Sequence, residues 1–223
     1  MCGRYTLSTP TDLLSDLYEL ETVVATQPRF NIAPTQEAPI IRIGPETGKR
    51  RLDLLRWGLV PFWAKDSDIG SRMINARSET VAEKPAYRVS LRKRRCLVPA
   101  DGFYEWQATG GPKQPFFFHR KDGYPFVMAG LWDRWEKGDD GPLDSFTILT
   151  TSPNEIVAPV HKRMPVILAP EHHQDWMSPS LEDVSSLMAL LVPDSSSTLE
   201  AYPVSTYVNN PAHEGPDCVD PIG

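Results

Sequence analysis

Cys2 comes directly after Met1, and its place in the chain matters more than its type. A small second residue is the kind methionine aminopeptidases accept, so the mature chain is expected to begin at Cys2. It would then carry an α-amine of reference pKa ~8 and a thiol of reference pKa ~8.5 on adjacent carbons. Both are within reach of activation near neutral pH. An aldehyde meeting this pair forms a Schiff base with the amine, and the thiol closes on it as a thiazolidine ring. An internal cysteine cannot do this, because its nitrogen is tied up in a peptide. The plain alternative is a cysteine that merely lies near a terminus.

Three internal segments could serve such a nucleophile. Asn75-Ala76-Arg77-Ser78-Glu79 offers an amide that hydrogen-bonds both ways and a guanidinium that can fork onto a phosphate or carboxylate. It reads equally as a solvated loop with an ion pair. Phe103-Tyr104-Glu105-Trp106 sets Glu105 between aromatic neighbours, where desolvation would raise its pKa and suit it to proton transfer. Strand alternation argues otherwise, turning Glu105 away from both rings and toward water. His161-Lys162-Arg163-Met164-Pro165 is either a proton shuttle beside a phosphate-gripping arginine or a surface histidine among cations. The run from Arg88 to Arg95 (RVSLRKRR) is the densest positive feature. It fits an anion-binding face, or a solvated helix whose basic end complements the helix dipole. The pair His172-His173 lacks the partners and spacing of a metal site.

The elements that must position these residues are mostly strands. The 223 residues allow one large domain or two small ones and are enough to bury a real core. The 22 prolines are spread along the chain and point to many turns and ordered loops. A helix is expected over about 11–20, capped by Ser8 or Thr9 and burying Leu13, Leu14 and Leu17. Strands follow at Ala38 to Ile43 and in LDLLRWGLVP, with an ordered loop over about 61–74. A second helix is expected over about 85–93, opening at Pro85. LVPADGFYEWQ reads as one interrupted strand. QPFFFHR and YPFVMAGLWDRW read as a hairpin around Lys121-Asp122-Gly123. SFTILTTSP is a further strand. PNEIVAPV, APEHHQDWM and LEDVSSLMALLV read as short helices, and the last twenty or so residues as extended. Strands outnumber helices without regular alternation. The expected fold class is therefore α+β: a β-rich, largely antiparallel, barrel-like sheet with short helices, over residues 1–223 as a single domain with about twelve terminal residues as an extended tail.

The net charge of −6 argues mildly against nonspecific coating of nucleic acid but permits a local basic cleft. Cys2, Cys96 and Cys218 are odd in number, far apart and outside any CxxC or zinc spacing. A reducing cytosol is the expected setting, with no metal and no cofactor. No apolar run reaches transmembrane length and no signal peptide is evident, so no membrane is expected as a partner.

Together MCGR, RFNIAPTQ, RWGLVPFWAKD, INARSET, CLVPADGFYEW, QPFF and VHKRMP resemble, in order from residue 2 to about 209, the SOS-response-associated peptidase (SRAP) family. The family processes abasic sites and crosslinks to DNA. The resemblance implies a β-rich fold whose cleft holds the N-terminal cysteine and binds single-stranded DNA at an abasic site. Cys2 would match the crosslinking residue, Asn75 the asparagine that orients the opened sugar, Glu105 the catalytic glutamate and His161 the catalytic histidine. Arg4, Arg77 and Arg163 would hold phosphates and Thr150 would touch the strand. Pro34 and Trp63 would lie in flanking loops. Some members carry a second tryptophan after the position of Trp63, where this chain has Ala64. Lyase activity, crosslink reversal and autocatalytic loss of Met1 are further implications. The resemblance also suggests a bacterial-type, monomeric, cytoplasmic protein, nucleoid-associated when bound to DNA. Two other classes compete: an N-terminal-nucleophile cysteine peptidase or hydrolase, and a non-catalytic module for single-stranded DNA.

Overall fold

The computed structural model describes residues 2–138, 141–195 and 197–222. Its strands are β1 (Tyr5–Leu7), β2 (Arg29–Ile32), β3 (Glu37–Ile43), β4 (Arg50–Trp57), β5 (Asn75–Arg77), β6 (Arg95–Ala100) and β7 (Gly102–Gln107). They continue with β8 (Gln114–Arg120), β9 (Phe126–Trp135), β10 (Leu143–Thr151), β11 (Met164–Pro165), β12 (Ile167–Leu168) and β13 (Leu199–Pro203). Four short helices intervene: α1 (Thr11–Tyr18), α2 (Arg88–Lys93), α3 (His173–Met177) and α4 (Val184–Ala189). No helix among the described residues is long and apolar enough to cross a membrane.

One sheet closes on itself. β10 pairs antiparallel with β9 and parallel with β4, while β4, β3, β6 and β9 are already joined in that order. The result is a five-stranded barrel that leaves no open edge among its members. The other sheet runs β13-β8-β7-β1-β2, all antiparallel, and packs one face on the barrel. Tyr5, Leu7, Phe103 and Phe118 from this sheet share a core with Ile40, Leu52, Val98, Leu131 and Phe146 from the barrel. The fold is the β-rich, mostly antiparallel α+β arrangement expected.

Several local expectations change. LVPADGFYEWQ is two strands in different sheets, β6 and β7, separated by a bend at Asp101. The Asp101 carboxylate accepts from the Ser8 and Thr9 backbone N–H groups and hydroxyls, which holds the bend and leaves neither side chain to cap α1. At Gly102 a Cβ would stand 2.3 Å from the Phe117 ring, so the second strand starts at the one residue type that fits. β8 and β9 do not pair as a hairpin; β8 lies between β7 and β13, and β9 joins the barrel. On α1 the buried residues are Leu14 and Tyr18, while Leu13 and Leu17 are exposed. Residues 155–160 form turns instead of a helix.

The extended tail is also corrected. β7 and β8 put Tyr104 and Phe117 on the face turned away from the barrel, where they need cover. Residues 204–222 supply it: Val204, Val208 and Cys218 pack on these rings, and 3₁₀ turns form at Thr206–Asn209 and Pro216–Cys218. Burial of each ring contributes about 1.5–3 kcal/mol, enough to hold the strap down.

Candidate functional site

Pairing places the chain start. Tyr5 lies opposite Phe103 in the antiparallel β1–β7 pair, and Tyr104 N donates to Arg4 O at 3.0 Å. Running that register backward brings the residues before Tyr5 alongside Glu105. Cys2 is 0 % exposed, with Sγ 4.0 Å from Arg4 O. A second element reaches the same point. β10 pairs with β4 at Phe146 and then with β5 at Ile148, so Asn75 enters the structure where β10 changes partner. Asn75 Nδ2 donates to Cys2 O at 2.7 Å. Its Oδ1 is buried and has no donor among the described residues.

Glu105 comes from β7 with its side chain 3 % exposed, and Oε1 is 3.6 Å from His161 Nδ1. Burial pushes its carboxyl pKa up. The alternation argument therefore had the right geometry and the wrong environment: Glu105 does turn from Tyr104 and Trp106, but toward the core side of the sheet. His161 Nδ1 sits 3.1 Å from Arg163 N and 3.0 Å from Arg163 O, so the backbone of residue 163 holds the ring in either tautomer. The Cys2 thiol is pushed far above the usual thiol range, first by burial and then by the nearby Glu105 carboxylate. Tyr5, which sequence reasoning passed over, adds a buried hydroxyl that has no partner among the described residues; burial and then the Cys2 sulfur raise its pKa.

The arginines divide. Arg163 forks onto the Glu79 carboxylate and reaches Thr150 O, tying two of the three singled-out segments to β10. Thr150 is fully buried, with Oγ1 3.4 Å from both Ala76 O and Arg163 Nη2, so it faces the interior and not a bound strand. Arg4 Nη1 is committed to Asn31 Oδ1 at 2.7 Å and Val208 O at 2.8 Å. Asn31 in turn donates to the carbonyls of Val208, Asn210 and His213, so one buried amide joins Arg4 to the strap. Arg77 is exposed and makes no ion pair among the described residues.

A cleft of about 430 Å³ opens beside Asn75, lined among others by Trp63, Met73, Arg77, Lys84 and Tyr87. Trp63 is 44 % exposed. Ala64 is buried under Trp135, whose Nε1 donates to Ala64 O at 3.0 Å, so the neighbouring exposed ring is Phe62. Pro34 does not line this cleft; it opens the turn between β2 and β3 and is followed by Thr35 at φ 73°. Lys84 and Tyr87 were missed because their role depends on a cavity between segments and has no motif of its own. Among the described residues no cluster of His, Cys, Asp or Glu could hold a metal, and all three cysteines are free and buried.

The sequence model of the SOS response associated peptidase (SRAP) family matches residues 1–211. A Bacillus subtilis relative named abasic site processing protein YoaM is 42 % identical over 224 residues, covering 99 % of this chain and 98 % of its own. A Gallus gallus relative named abasic site processing protein HMCES is 34 % identical, over 88 % of this chain and 67 % of its own. A crystal structure of a Bacteroides thetaiotaomicron protein aligns with TM-score 0.89 at 28 % identity, over 99 % of this chain and all of the other. The barrel and the covering sheet are thus a shared architecture, and the chain belongs to the SRAP family.

Proposed function

We propose that this protein captures abasic sites in single-stranded DNA by closing a thiazolidine between Cys2 and the opened sugar once Met1 has been removed. The observation that carries this reading is the convergence on one residue: Asn75 on the Cys2 carbonyl, with Glu105 and His161 3.6 Å apart beside the same buried thiol. The names of the relatives point to the same lesion.

The α-amine of Cys2 adds to the C1′ aldehyde, and the carbinolamine loses water to give an imine. Glu105, whose carboxyl pKa burial raises, supplies the proton that helps water leave. The Cys2 S–H then adds across C=N: a C1′–S bond forms and the proton ends on nitrogen. Asn75 Oδ1, buried without a donor, accepts from the amine or a sugar hydroxyl; leaving it unmet costs about 1–3 kcal/mol. Arg77 and Trp63 in the cleft hold phosphate and base. If the imine loses its 3′ phosphate by β-elimination first, the outcome is strand cleavage, and reprotonation of the ring by Glu105 reverses the crosslink.

A peptidase would need the thiolate as its nucleophile. The thiol here is shifted the opposite way, which favours the aldehyde reading. The test is intact mass after incubation with a single-stranded oligonucleotide carrying one abasic site. The expected product is the chain without Met1 plus the oligonucleotide minus one water. Turnover of a peptide with no such adduct would overturn the reading.

A further inference from the structure

The basic run RVSLRKRR separates into two halves with different partners. Arg94 pairs with Asp133 and lies 5.7 Å from the Trp132 ring. Arg95 is buried and donates to the carbonyls of Leu91, Arg92, Trp176, Ser178 and Leu181. These two are structural. Arg88, Arg92 and Lys93 are exposed, and neither they nor Lys84 makes an ion pair among the described residues. Glu83 is the single acid between residues 81 and 95.

The exposed cations continue the cleft. Lys84 lines it beside Asn75 and Arg77. Arg88 N donates to Lys84 O at 3.0 Å, so the turn at 84–87 delivers the chain from the cleft directly into α2, which Tyr87 caps. Arg88 and Arg92 are four residues apart on α2 and share one face, and Lys84 stands one turn before them at the cleft. At 1.5 Å rise per residue Arg92 stands ~6 Å along α2 from Arg88, further from the cleft than Lys84. Of the neighbouring side chains Val89 is exposed and apolar, and no aromatic ring is exposed on α2. Stacking belongs to the cleft, with Trp63 and Tyr87; point charges belong to α2.

We propose that Lys84 and the Arg88-Arg92 face of α2 form a phosphate track for the single strand leaving the cleft, adding backbone contacts several nucleotides from the reacting sugar. This rests on the reading of the cleft as a single-strand site. A track of this kind contributes affinity without sequence preference and weakens with salt, by a slope of about 0.7 per phosphate contact.

The test uses Arg88→Gln/Arg92→Gln and the charge-keeping Arg88→Lys/Arg92→Lys, both on exposed positions. The probes are single strands of roughly 5 and roughly 20 nucleotides, bracketing common single-strand site sizes. Each carries one tetrahydrofuran site, which lacks the aldehyde and reports binding alone. The Gln pair is expected to bind the long probe about tenfold more weakly, with a salt slope lower by about 1.4. It should bind the short probe as wild type does, and the Lys pair should restore the long-probe value. An unchanged slope on the long probe, or equal losses on both probes, overturns the track. Wild-type crosslinking to a true abasic strand is measured in parallel. If it fails while the slope difference persists, the crosslinking reading falls and the track stands.

Discussion

Cys2 and Cys96 are the same side chain in nearly the same physical state. Both are 0 % exposed, and burial drives both thiols far above their usual range. The next influence differs in sign: the Glu105 carboxylate raises Cys2 further, whereas the Arg42 guanidinium pulls Cys96 back. Electrostatics alone gives Cys2 no advantage as a nucleophile over Cys96. What sets Cys2 apart is everything but the sulfur. Its carbonyl is held by Asn75, it lies by a carboxyl–imidazole pair, and it precedes β1 close to a chain end. Cys96 lies inside β6 of the closed barrel, with its backbone carbonyl taken by Trp176 Nε1 at 3.0 Å. A depressed thiol pKa is therefore the wrong signal to search for in chemistry where the amine attacks first.

That contrast can be broken most sharply by exchange of one cysteine at a time. Cys2→Ala should abolish the heat-stable adduct seen by intact mass, leaving only an imine that borohydride can trap. Cys96→Ala should keep the full yield, and loss of adduct in that variant would erase the distinction. A retained Met1 or an N-terminal tag should act like Cys2→Ala, since either removes the free amine while leaving the thiol.

Glu105→Gln is the next largest change, with closure slowed by about 10²–10⁴-fold. It also tests the environment. Burial raises the Glu105 pKa in the folded state, so its contribution to stability is full below the unfolded value and declines as pH rises through the folded one. Gln does not ionise, so the variant should gain thermal stability relative to wild type as pH rises through that window. Cys96→Ala should show no such trend there, and parallel melting curves for wild type and Glu105→Gln would remove the raised carboxyl from the mechanism.

Asn75→Ala should slow closure by about 10²-fold, the usual effect of deleting one orienting hydrogen-bond group. Single-turnover rates at saturating oligonucleotide separate this from weaker binding. Smallest in its effect on the adduct is Gly130→Ala, whose Cβ would stand 2.8 Å from Cys96 Sγ. It should cost about 1–3 kcal/mol in denaturant melts and leave crosslinking at the wild-type rate per folded molecule.

The fold class was legible because strand signals recur along the chain without regular helical alternation. Pairing was not. The Lys121-Asp122-Gly123 turn looks the same whether the flanking strands pair or part, and here β8 and β9 leave for different sheets. At the site, Cys2 could be singled out because its chemistry depends on its place in the sequence. Asn75, Glu105 and His161 came from short motifs, but nothing local says that β10 changes partners to deliver Asn75. Arg4 shows what a motif leaves out: nothing local says that its guanidinium reaches Asn31 and the strap. The strap itself was misread because its apolar residues are few and widely spaced, and the rings they cover lie about a hundred residues earlier, Trp106 Nε1 to Asn209 Oδ1 being 103 apart.

The Arg4–Asn31–strap connection carries a consequence in time. Arg4 Nη1 and its acceptor Val208 O are 204 residues apart. A ribosome adding ~5–20 residues per second needs on the order of 10–40 s to travel from one to the other. Throughout that interval Arg4 lacks the strap carbonyl it ends on, although Asn75 and β7, which hold the Cys2 segment, are made about a hundred residues earlier. Seating Arg4 and covering Tyr104 and Phe117 are therefore among the last acts of folding, completed only when residues 204–222 have been made.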